Sequence, residues 1–376
     1  MMALRFRTSH AQTTVGTKTR KRVSERHKDS EVQPTDLARC RLLQLSRNHF
    51  LRVWRVKRKM RCSWAALLGV VLVLTSSFHH ATADTIKIVV PFAAGGPVDQ
   101  LARILGNELG SKLGVDVIVE DRGGAGGALA ADLVAHAVPD GSTILLGSLG
   151  SQILSPILKP PTTYDAAGAF APVMLVGSVP VFLVVSPKLG VSDLKELIAL
   201  ARSGRQMTYG SAGSGTTMNI AGEMFNAAAR LKVTHVPYRG AAPAVSDLLG
   251  GHVDVLPADL PVVLPLINAG AVKPLALLGT RRSPLLPTVP TTVELGLPGV
   301  VMENWYGVFV PVGTPAAVQS KLEAALFSVL EIPSVKERLA ANGMRGTLGA
   351  DAFKAKLPVE FAFWRNTIKT LGITSE

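Results

Sequence analysis

The sequence IKIVVPFAAGGPVD, at residues 86–99, constrains the fold more than any other stretch of this chain. Its first five residues are mostly β-branched, a run typical of a strand buried on both faces of a parallel sheet. We predict that the strand ends at Pro91, which has no N–H to donate to a neighbouring strand. Gly95 and Gly96 would let a ligand approach the N–H groups that open the next helix. The stretch therefore predicts the first strand and an anion-receiving turn of an α/β binding domain.

Strands and helices alternate along the rest of the chain. Apolar residues recur at helical spacing over residues 99–113, and short strands are predicted at 115–120 and 143–146. A glycine loop and a second helix lie between these strands, which is the βαβ order of a doubly wound sheet. The layout repeats at residues 207–230, where a strand is followed by the turn SAGSGTT and a helix. We therefore predict two units of the same kind.

The segment between the two units gives local predictions of its own. Residues 155–172 contain several prolines and are predicted to be irregular. Residues 173–185 are apolar and extended, with interruptions expected at Gly177 and Pro180. Ser192, with Glu196 close behind it, is predicted to cap the helix that follows.

The length of the chain after residue 83 predicts two lobes. About 293 residues remain from residue 84 onward, which is more than a single core usually holds. We assign residues 84–183 and 302–376 to lobe 1, and residues 184–301 to lobe 2. The chain would then cross between the lobes twice, an arrangement that predicts a hinged cleft.

Positive charge is concentrated at the N-terminus. The chain has 40 Lys and Arg against 27 Asp and Glu, and residues 1–61 hold 17 of the basic and 4 of the acidic side chains. The remainder therefore carries 23 of each sign and is formally neutral. This balance argues against nucleic acid as a partner of the main body, although the basic arm alone would allow that hypothesis.

Residues 60–83 have the pattern of a secretory signal peptide. A basic start precedes an apolar run of about 11 residues, and Ala81-Thr82-Ala83 supplies a cleavage site before Asp84. The apolar run is shorter than the roughly 20 residues of a membrane-spanning helix. We therefore predict export with cleavage between Ala83 and Asp84.

Two interpretations of residues 1–59 remain open. They are either a basic, disordered extension or sequence translated from a start codon placed too early, and we favour the second. The two cysteines, Cys40 and Cys62, both precede the predicted cleavage site. The mature chain is therefore predicted to have no disulfide bond and no thiol chemistry.

Seven segments spread across nearly the whole mature chain form a recognisable ordered set. They are VPFAAGGPVDQLAR at 90–103, EDRGGAGG at 120–127, PDG at 139–141, YGSAGSGT at 209–216, HVPYRGAAPAVSDLLGGHVD at 235–254, RRSPLLPTVPTTVELGLPG at 281–299, and Trp305 with PVGTP at 311–315. In these segments and their order the sequence resembles the periplasmic solute-binding receptors of tripartite tricarboxylate transporters, also called the Bug family.

The resemblance implies a fold, a function and a site. It implies the α/β fold of type II periplasmic binding proteins, with two lobes around a hinged ligand cleft. It also implies that the turns at residues 92–99 and 211–216 face each other across a carboxylate-bearing ligand, which they contact through N–H groups, small hydroxyls and water. The sequence departs from the family at Asp121, Gly123 and Asn219, where Asn, Pro and His are common.

Fourteen residues are candidates for ligand binding. Most belong to the two turns, and the others follow predicted strands, where ligands of open α/β sheets usually bind. They are Phe92, Ala93, Gly96, Pro97, Asp99, Ser148, Gln152, Ser211, Ala212, Gly213, Ser214, Gly215, Thr216 and Asp259.

Several of these candidates have a structural alternative. Ser211, Ser214 and Thr216 would offer hydroxyls and N–H groups to a carboxylate, or they would only cap a helix. Asp99 would hold water against the ligand or cap its own helix. Ser148 and Gln152 would contact the ligand or belong to a plain loop. Asp259 would accept from a ligand ammonium or hydroxyl group, or lie at the solvated surface.

Other kinds of site have little support in the sequence. His136, His235 and His252 are not spaced as metal ligands, and we predict structural roles for them and no metal or cofactor. The glycines at residues 123–127 fit no nucleotide-binding motif, so a tight strand-to-helix turn is the favoured interpretation. Ser148 and Ser214 do not lie in a G-x-S-x-G motif. Trp305 and Tyr306 are expected mainly in the core.

These observations favour a periplasmic binding protein over an enzyme. It would capture a small organic acid as a monomer and pass it to membrane transporter subunits. The alternatives are a periplasmic α/β esterase, which needs a nucleophile and base that the sequence does not display, and a ligand sensor for a signalling partner.

Overall fold

One sheet organises the residues that the structure describes, which in this computed structural model are 85–159 and 163–374. These residues belong to one compact unit. Ten strands of the described chain join in the sheet. They are β1 Thr85–Val90, β2 Asp116–Asp121, β3 Thr143–Ser148, β4 Phe170–Val185, β5 Thr208–Ser211, β6 Thr234–Pro237, β7 Val255–Asp259, β8 Lys273–Leu277, β9 Glu303–Pro311 and β10 Leu348–Gly349.

Helices flank these strands on both faces. A 3₁₀ turn, Ala125–Gly127, precedes the second helix, and a π-helical turn, Gly150–Leu154, precedes the third. The helices are α1 Pro97–Leu113, α2 Ala128–Ala135, α3 Ser155–Leu158, α4 Leu194–Arg202, α5 Thr217–Ala229, α6 Ala241–Gly250, α7 Leu260–Asn268, α8 Ala316–Leu330, α9 Pro333–Ala341 and α10 Ala350–Leu371. None of the helices within the described ranges is long and apolar enough to cross a membrane.

The strand order contains the two predicted parallel units. The main path of the sheet is β2-β1-β3-β9-β4-β7-β5-β6, and β8 and β10 pair with β4 beside it. Strand β1 is parallel to both β2 and β3, and β5 is parallel to β6 and β7. Strands β4 and β9 run antiparallel between these groups. The predicted α/β class is therefore confirmed.

The first strand is buried on both faces, as its sequence predicts. Ile88 and Val90 belong to one hydrophobic cluster, while Val89 between them belongs to the cluster on the opposite face. Each of these three side chains is at most 2% exposed. Burial of one such side chain contributes about 1.5–3 kcal/mol, so this short strand has a large share in fixing the sheet.

Strand β4 passes through both halves of the sheet without a break. Its residues 170–180 pair with β9, and its residues 181–185 pair with β7 and β8. The predicted extended segment is confirmed, and at Gly177 the pairing with β9 shifts register, between Leu175 and Gly177. The interruption predicted at Pro180 is wrong, because Pro180 stays in register opposite Glu303. Nearly all side chains of β4 from Pro172 onward are buried, and packing of this kind overrides local propensity.

Two other local predictions are corrected by the structure. Residues 155–172 are not wholly irregular, because α3 covers Ser155–Leu158 and β4 begins at Phe170. Helix α4 is capped by Asp193, whose carboxylate accepts from the N–H of Glu196 at 2.8 Å, and not by Ser192. The N–H of Ser192 instead donates to the Glu196 carboxylate, at 2.6 Å. The two acids thus bond two N–H groups at the start of α4, and the cap is displaced by one residue from the predicted position.

The basic extension at residues 1–59, the signal peptide at residues 60–83 and the cleavage site before Asp84 all lie outside the described residues.

Candidate functional site

Two helix N-termini open onto the same internal cavity. Helix α1 begins at Pro97, just after the turn that follows β1, and helix α5 begins at Thr217, just after the turn that follows β5. Pro97, Val98, Thr217 and Met218 all line the cavity. The first N–H groups of a helix have no acceptor within the helix, and the helix dipole places partial positive charge there. The cavity is therefore favourable for an anion.

The loops around this cavity touch each other closely, backbone against backbone. Ala93 N donates to the carbonyl of Arg239 at 3.1 Å. A Cβ atom placed on Gly150 would lie 3.0 Å from Thr217 N and 3.1 Å from the Cα of Thr216. These distances are tighter than ordinary carbon contacts. Glycine at position 150 thus permits the approach of the loop after β3 to the N-terminus of α5.

Asp99 stabilises the turn between β1 and α1 through a hydrogen bond to its backbone. Its side chain is 4% exposed, and one carboxylate oxygen accepts from Gly95 N at 2.8 Å. The other carboxylate oxygen lies 2.8 Å from Nε of Arg103, one helical turn further along α1. The hydrogen bond to Asp99 and its charge raise the pKa of Arg103. Asp99 does not line the cavity, and its charge is balanced by Arg103.

Hydrogen bonds within the second turn occupy several of its predicted ligand-binding groups. Thr216 caps α5, accepting from Asn219 N at 3.4 Å and donating to the Gly213 carbonyl at 2.7 Å. The N–H of Gly213 donates to Oγ of Ser211 at 3.0 Å, and the N–H of Gly215 donates to Oδ1 of Asn219 at 2.9 Å. Gly213 and Gly215 thus have their N–H groups bonded within the turn, and the cavity is lined instead by Thr216 and the first residues of α5, Thr217 and Met218.

A buried polar network lies behind this turn. Oγ of Ser211 is 2.6 Å from Nε2 of His235, whose ring stacks on Tyr209 with centroids 4.9 Å apart. Asn219 donates to the Tyr209 hydroxyl at 2.9 Å, and that hydroxyl donates to Glu223. No sequence pattern indicates that Ser211 and His235 meet. Ser211 is fully buried and does not line this cavity, so its bond to His235 supports the turn from behind.

A buried carboxylate lies at another wall of the cavity. One oxygen of Asp259, Oδ2, accepts from Nδ2 of Asn304 at 2.8 Å and from the hydroxyl of Tyr306 at 2.5 Å. Burial raises the pKa of Asp259 to about 6, although both hydrogen bonds lower it. Burial and the neighbouring Asp259 charge also raise the pKa of Tyr306. Asp259 is 5% exposed, so the alternative of a solvated surface position is wrong.

The cavity gathers six of the fourteen predicted residues. These six are Phe92, Pro97, Ser148, Ala212, Thr216 and Asp259. Five lining residues were not predicted, namely Val98, Thr217, Met218, Ala241 and Asn304. The first three follow directly from helix starts at Pro97 and Thr217. Asn304 could not have been found from the sequence, because its place beside Asp259 depends on the pairing of distant strands with β4.

The other predicted residues lie around the cavity or away from it. Ala93 contacts the loop at Arg239, and Gly96 and Asp99 shape the start of α1. Ser211, Gly213 and Gly215 make the hydrogen bonds of the second turn. Ser214 and Gln152 border two other cavities, of about 560 Å³ and 410 Å³.

Those two larger cavities differ in character from the small one between the helix starts. The first is bordered by Arg230, Lys232 and residues 371–374, and the second lies beside α10 with Lys354 and Arg365 at its edge. All four basic side chains are exposed. In the described ranges, no group of three or more His, Cys, Asp or Glu side chains is placed to hold a metal ion.

Comparison of the fold with solved structures places this protein in the periplasmic solute-binding class. The periplasmic binding protein BugD matches with a TM-score of 0.75 and 33% identity, covering 78% of this chain and 99% of that chain. MatC from Rhodopseudomonas palustris, solved with bound malate, matches with a TM-score of 0.72 and 33% identity, covering 76% and 98% of the two chains. An R. palustris protein solved with adipate matches with a TM-score of 0.75 and 31% identity, covering 78% of this chain and 99% of that one.

Sequence comparison identifies the family. Residues 101–372 match TctC, the tripartite tricarboxylate transporter family receptor. A protein of the tcbD-tcbE intergenic region of a Pseudomonas species is 37% identical over 77% of this chain and 89% of its own length. BugT of Bordetella pertussis is 33% identical over 82% of this chain and 97% of its own. The chain belongs to the TctC family of tripartite tricarboxylate transporter receptors, whose members are binding proteins.

Proposed function

We propose that this protein captures a small carboxylate-bearing metabolite in the cavity between α1 and α5 and delivers it to the membrane subunits of a tripartite transporter. The observation that carries the proposal is the convergence of two helix N-termini on one cavity. Among the residues lining this cavity there is no Lys, Arg or His. The partial positive charge of the helix starts would therefore receive the anion. Malate and adipate in related structures are ligands of this chemical class.

Entry of the ligand requires the cavity to widen. Its volume is about 20 Å³, enough for roughly one water molecule and too small for a metabolite. Lobe 1, residues 84–183 and 302–376, would move against lobe 2, residues 184–301. Strands β4 and β9 connect the two parallel groups of strands, and the hinge would lie in them near residues 180 and 303. Closure would then bury the carboxylate between the two turns.

The fourteen predicted residues would have two different roles in binding. Those that line the cavity would contact the ligand directly or through water, with the N–H groups of Val98, Thr217 and Met218 as added donors. The others, including Asp99, Ser211 and Gly213, would hold the two turns in shape. Because Asp99 is paired with Arg103, its charge would repel an incoming carboxylate less than a lone acid would.

Export completes the proposal. Residues 60–83 would direct the protein to the periplasm and be removed before Asp84, leaving a monomer without the basic segment. N-terminal sequencing of the secreted protein tests this step, and an intact N-terminus at Met1 in the exported protein would contradict it.

A thermal-shift screen of the mature protein tests the binding proposal. The panel contains di- and tricarboxylates, aromatic acids and amino acids, with uncharged sugars as the matched negative set. We expect several acids to raise the melting temperature in proportion to the logarithm of their concentration above Kd. Ester hydrolysis is assayed on the same sample. Turnover that is lost in Ser211→Ala, or a panel in which no acid binds, would contradict the proposal.

A further inference from the structure

Two hydrogen-bond acceptors lie buried and unpaired in the wall of the cavity. Oδ1 of Asp259 and Oδ1 of Asn304 have no hydrogen-bond partner among the described residues. Both side chains line the cavity, and they are 5% and 3% exposed. The other polar atom of each side chain is hydrogen-bonded, because Nδ2 of Asn304 donates to Oδ2 of Asp259 at 2.8 Å. The two unpaired oxygens therefore belong to one joined pair of side chains.

Buried acceptor oxygens without a partner are stabilised when a hydrogen-bond donor binds them. A buried polar atom without a hydrogen bond costs about 1–3 kcal/mol, and more when its group is charged. No cationic side chain lines the cavity to meet the Asp259 carboxylate. The Tyr306 hydroxyl and the Asn304 amide already donate to its other oxygen. A donor for Oδ1 of Asp259 and Oδ1 of Asn304 must come from what enters the cavity.

The opposite walls of the cavity have opposite preferences. The starts of α1 and α5 present N–H groups and favour a negative group, whereas Asp259 and Asn304 present oxygens and disfavour one. A ligand with only carboxylates would leave the two oxygens unpaired or repel the Asp259 charge. A ligand with a carboxylate at one point and a donor at another satisfies both walls.

We infer that the ligand is a small carboxylic acid whose carbon chain also carries a hydrogen-bond donor, a hydroxyl or an ammonium group, which binds Asp259 and Asn304. The inference rests on the proposed function and narrows it to a substrate class. The two donor types share the same acceptors, but they differ in charge. An ammonium group would pair with the ionised Asp259, while a hydroxyl group needs only an acceptor.

Matched ligands test the inference by isothermal titration calorimetry. Each set shares one carbon skeleton and differs only in hydrogen, hydroxyl or ammonium: propionate, lactate and alanine; succinate, malate and aspartate; glutarate, 2-hydroxyglutarate and glutamate. Titrations are made at pH 8, where Asp259 is ionised. In the best-binding set we expect the hydroxyl or ammonium member to bind at least tenfold more tightly than the unsubstituted acid.

Variants assign the preference to the two side chains. Asn304→Leu keeps the approximate size of the side chain and removes its acceptor, and Asp259→Asn removes the charge. We expect both to reduce the preference at least fivefold, with Asp259→Asn acting more strongly on an ammonium ligand than on a hydroxyl ligand. Asp116→Asn, an exposed acid on β2, is the matched control and should leave the preference unchanged.

The outcomes separate this inference from the proposed function. Unsubstituted acids that bind as tightly as their substituted partners would overturn the inference while leaving carboxylate capture intact. A preference that survives in both variants, each shown to be folded by its melting curve, would also overturn it. If no acid of any set binds, the proposed function fails and the inference fails with it.

Discussion

Replacing Gly150 by alanine should weaken ligand binding without weakening the fold. Gly150 lies in the π-helical turn after β3, and its φ is not in the left-handed region, so alanine fits the local backbone. The added methyl group would lie 3.0 Å from Thr217 N and 3.1 Å from the Cα of Thr216, against a comfortable separation of about 3.5 Å. To relieve this overlap, the loop after β3 and the start of α5 must move apart by about 0.5 Å.

The size of the effect follows from this overlap. Inserting one methyl group into a well-packed contact costs about 1–3 kcal/mol. If the lobes are apart in the free protein, this cost falls only on the closed, ligand-bound state, and Kd rises about 5- to 150-fold. Alanine is meanwhile the better helix former by up to about 1 kcal/mol, so the melting temperature of the free protein should stay level or rise.

Calorimetric titration with the best acid and melting curves without ligand measure the two quantities separately. Gly299→Ala is the matched control, because a Cβ atom there would meet nothing within 4 Å and its φ is also not left-handed. The control should change neither Kd nor melting temperature by more than the experimental error. An unchanged Kd in Gly150→Ala together with a lower melting temperature would refute the reasoning, since it would mean that the two loops stay packed when no ligand is bound.

Two further predictions concern stability. Because burial raises the pKa of Asp259 to about 6 from its ordinary 3.8, the folded state holds this proton more tightly than the unfolded state. Protonation of Asp259 therefore stabilises the folded state fully below pH 3.8, and this stabilisation is lost as the pH rises through about 6. The total loss in the free energy of unfolding is ~3 kcal/mol. The stability of Asp259→Asn relative to the wild type should thus rise between pH 4 and pH 7 in denaturant titrations, and a constant difference would contradict the burial effect. At the start of α4, Asp193→Ala should cost about 1 kcal/mol and Ser192→Ala less than 0.5 kcal/mol, and equal losses would restore Ser192 as the cap.

Much of the fold could be predicted because its signals are local. The β-branched run at residues 86–90, the helical spacing after it and the repeated glycine turn each depend on nearby residues. The errors occurred where long-range packing decided the outcome. Strand β4 continues through Gly177 and Pro180 because strands far away in the sequence bury it on both faces. The cap of α4 was assigned to Ser192 instead of Asp193 because the sequence pattern does not distinguish two adjacent residues that can both cap a helix.

The site was predictable to a smaller extent, for a related reason. Both turns were found because each joins a strand to a helix within a short segment. The sequence indicated which residues belong to the turns, but it did not indicate which of their polar groups bond one another. Oγ of Ser211 bonds His235 behind the turn, Thr216 bonds Gly213 within it, and the first residues of α5 line the cavity beside Thr216. Asn304, which is 45 residues from Asp259, required knowledge of the strand pairing.

A crystal structure of the protein with its tightest-binding acid tests carboxylate capture between the helix starts most directly. We expect the carboxylate within about 3 Å of the N–H groups of Val98, Thr217 or Met218, directly or through one water molecule. A ligand bound beside Arg230 and Lys232 in the 560 Å³ cavity, or beside Lys354 and Arg365 in the 410 Å³ cavity, would contradict that claim.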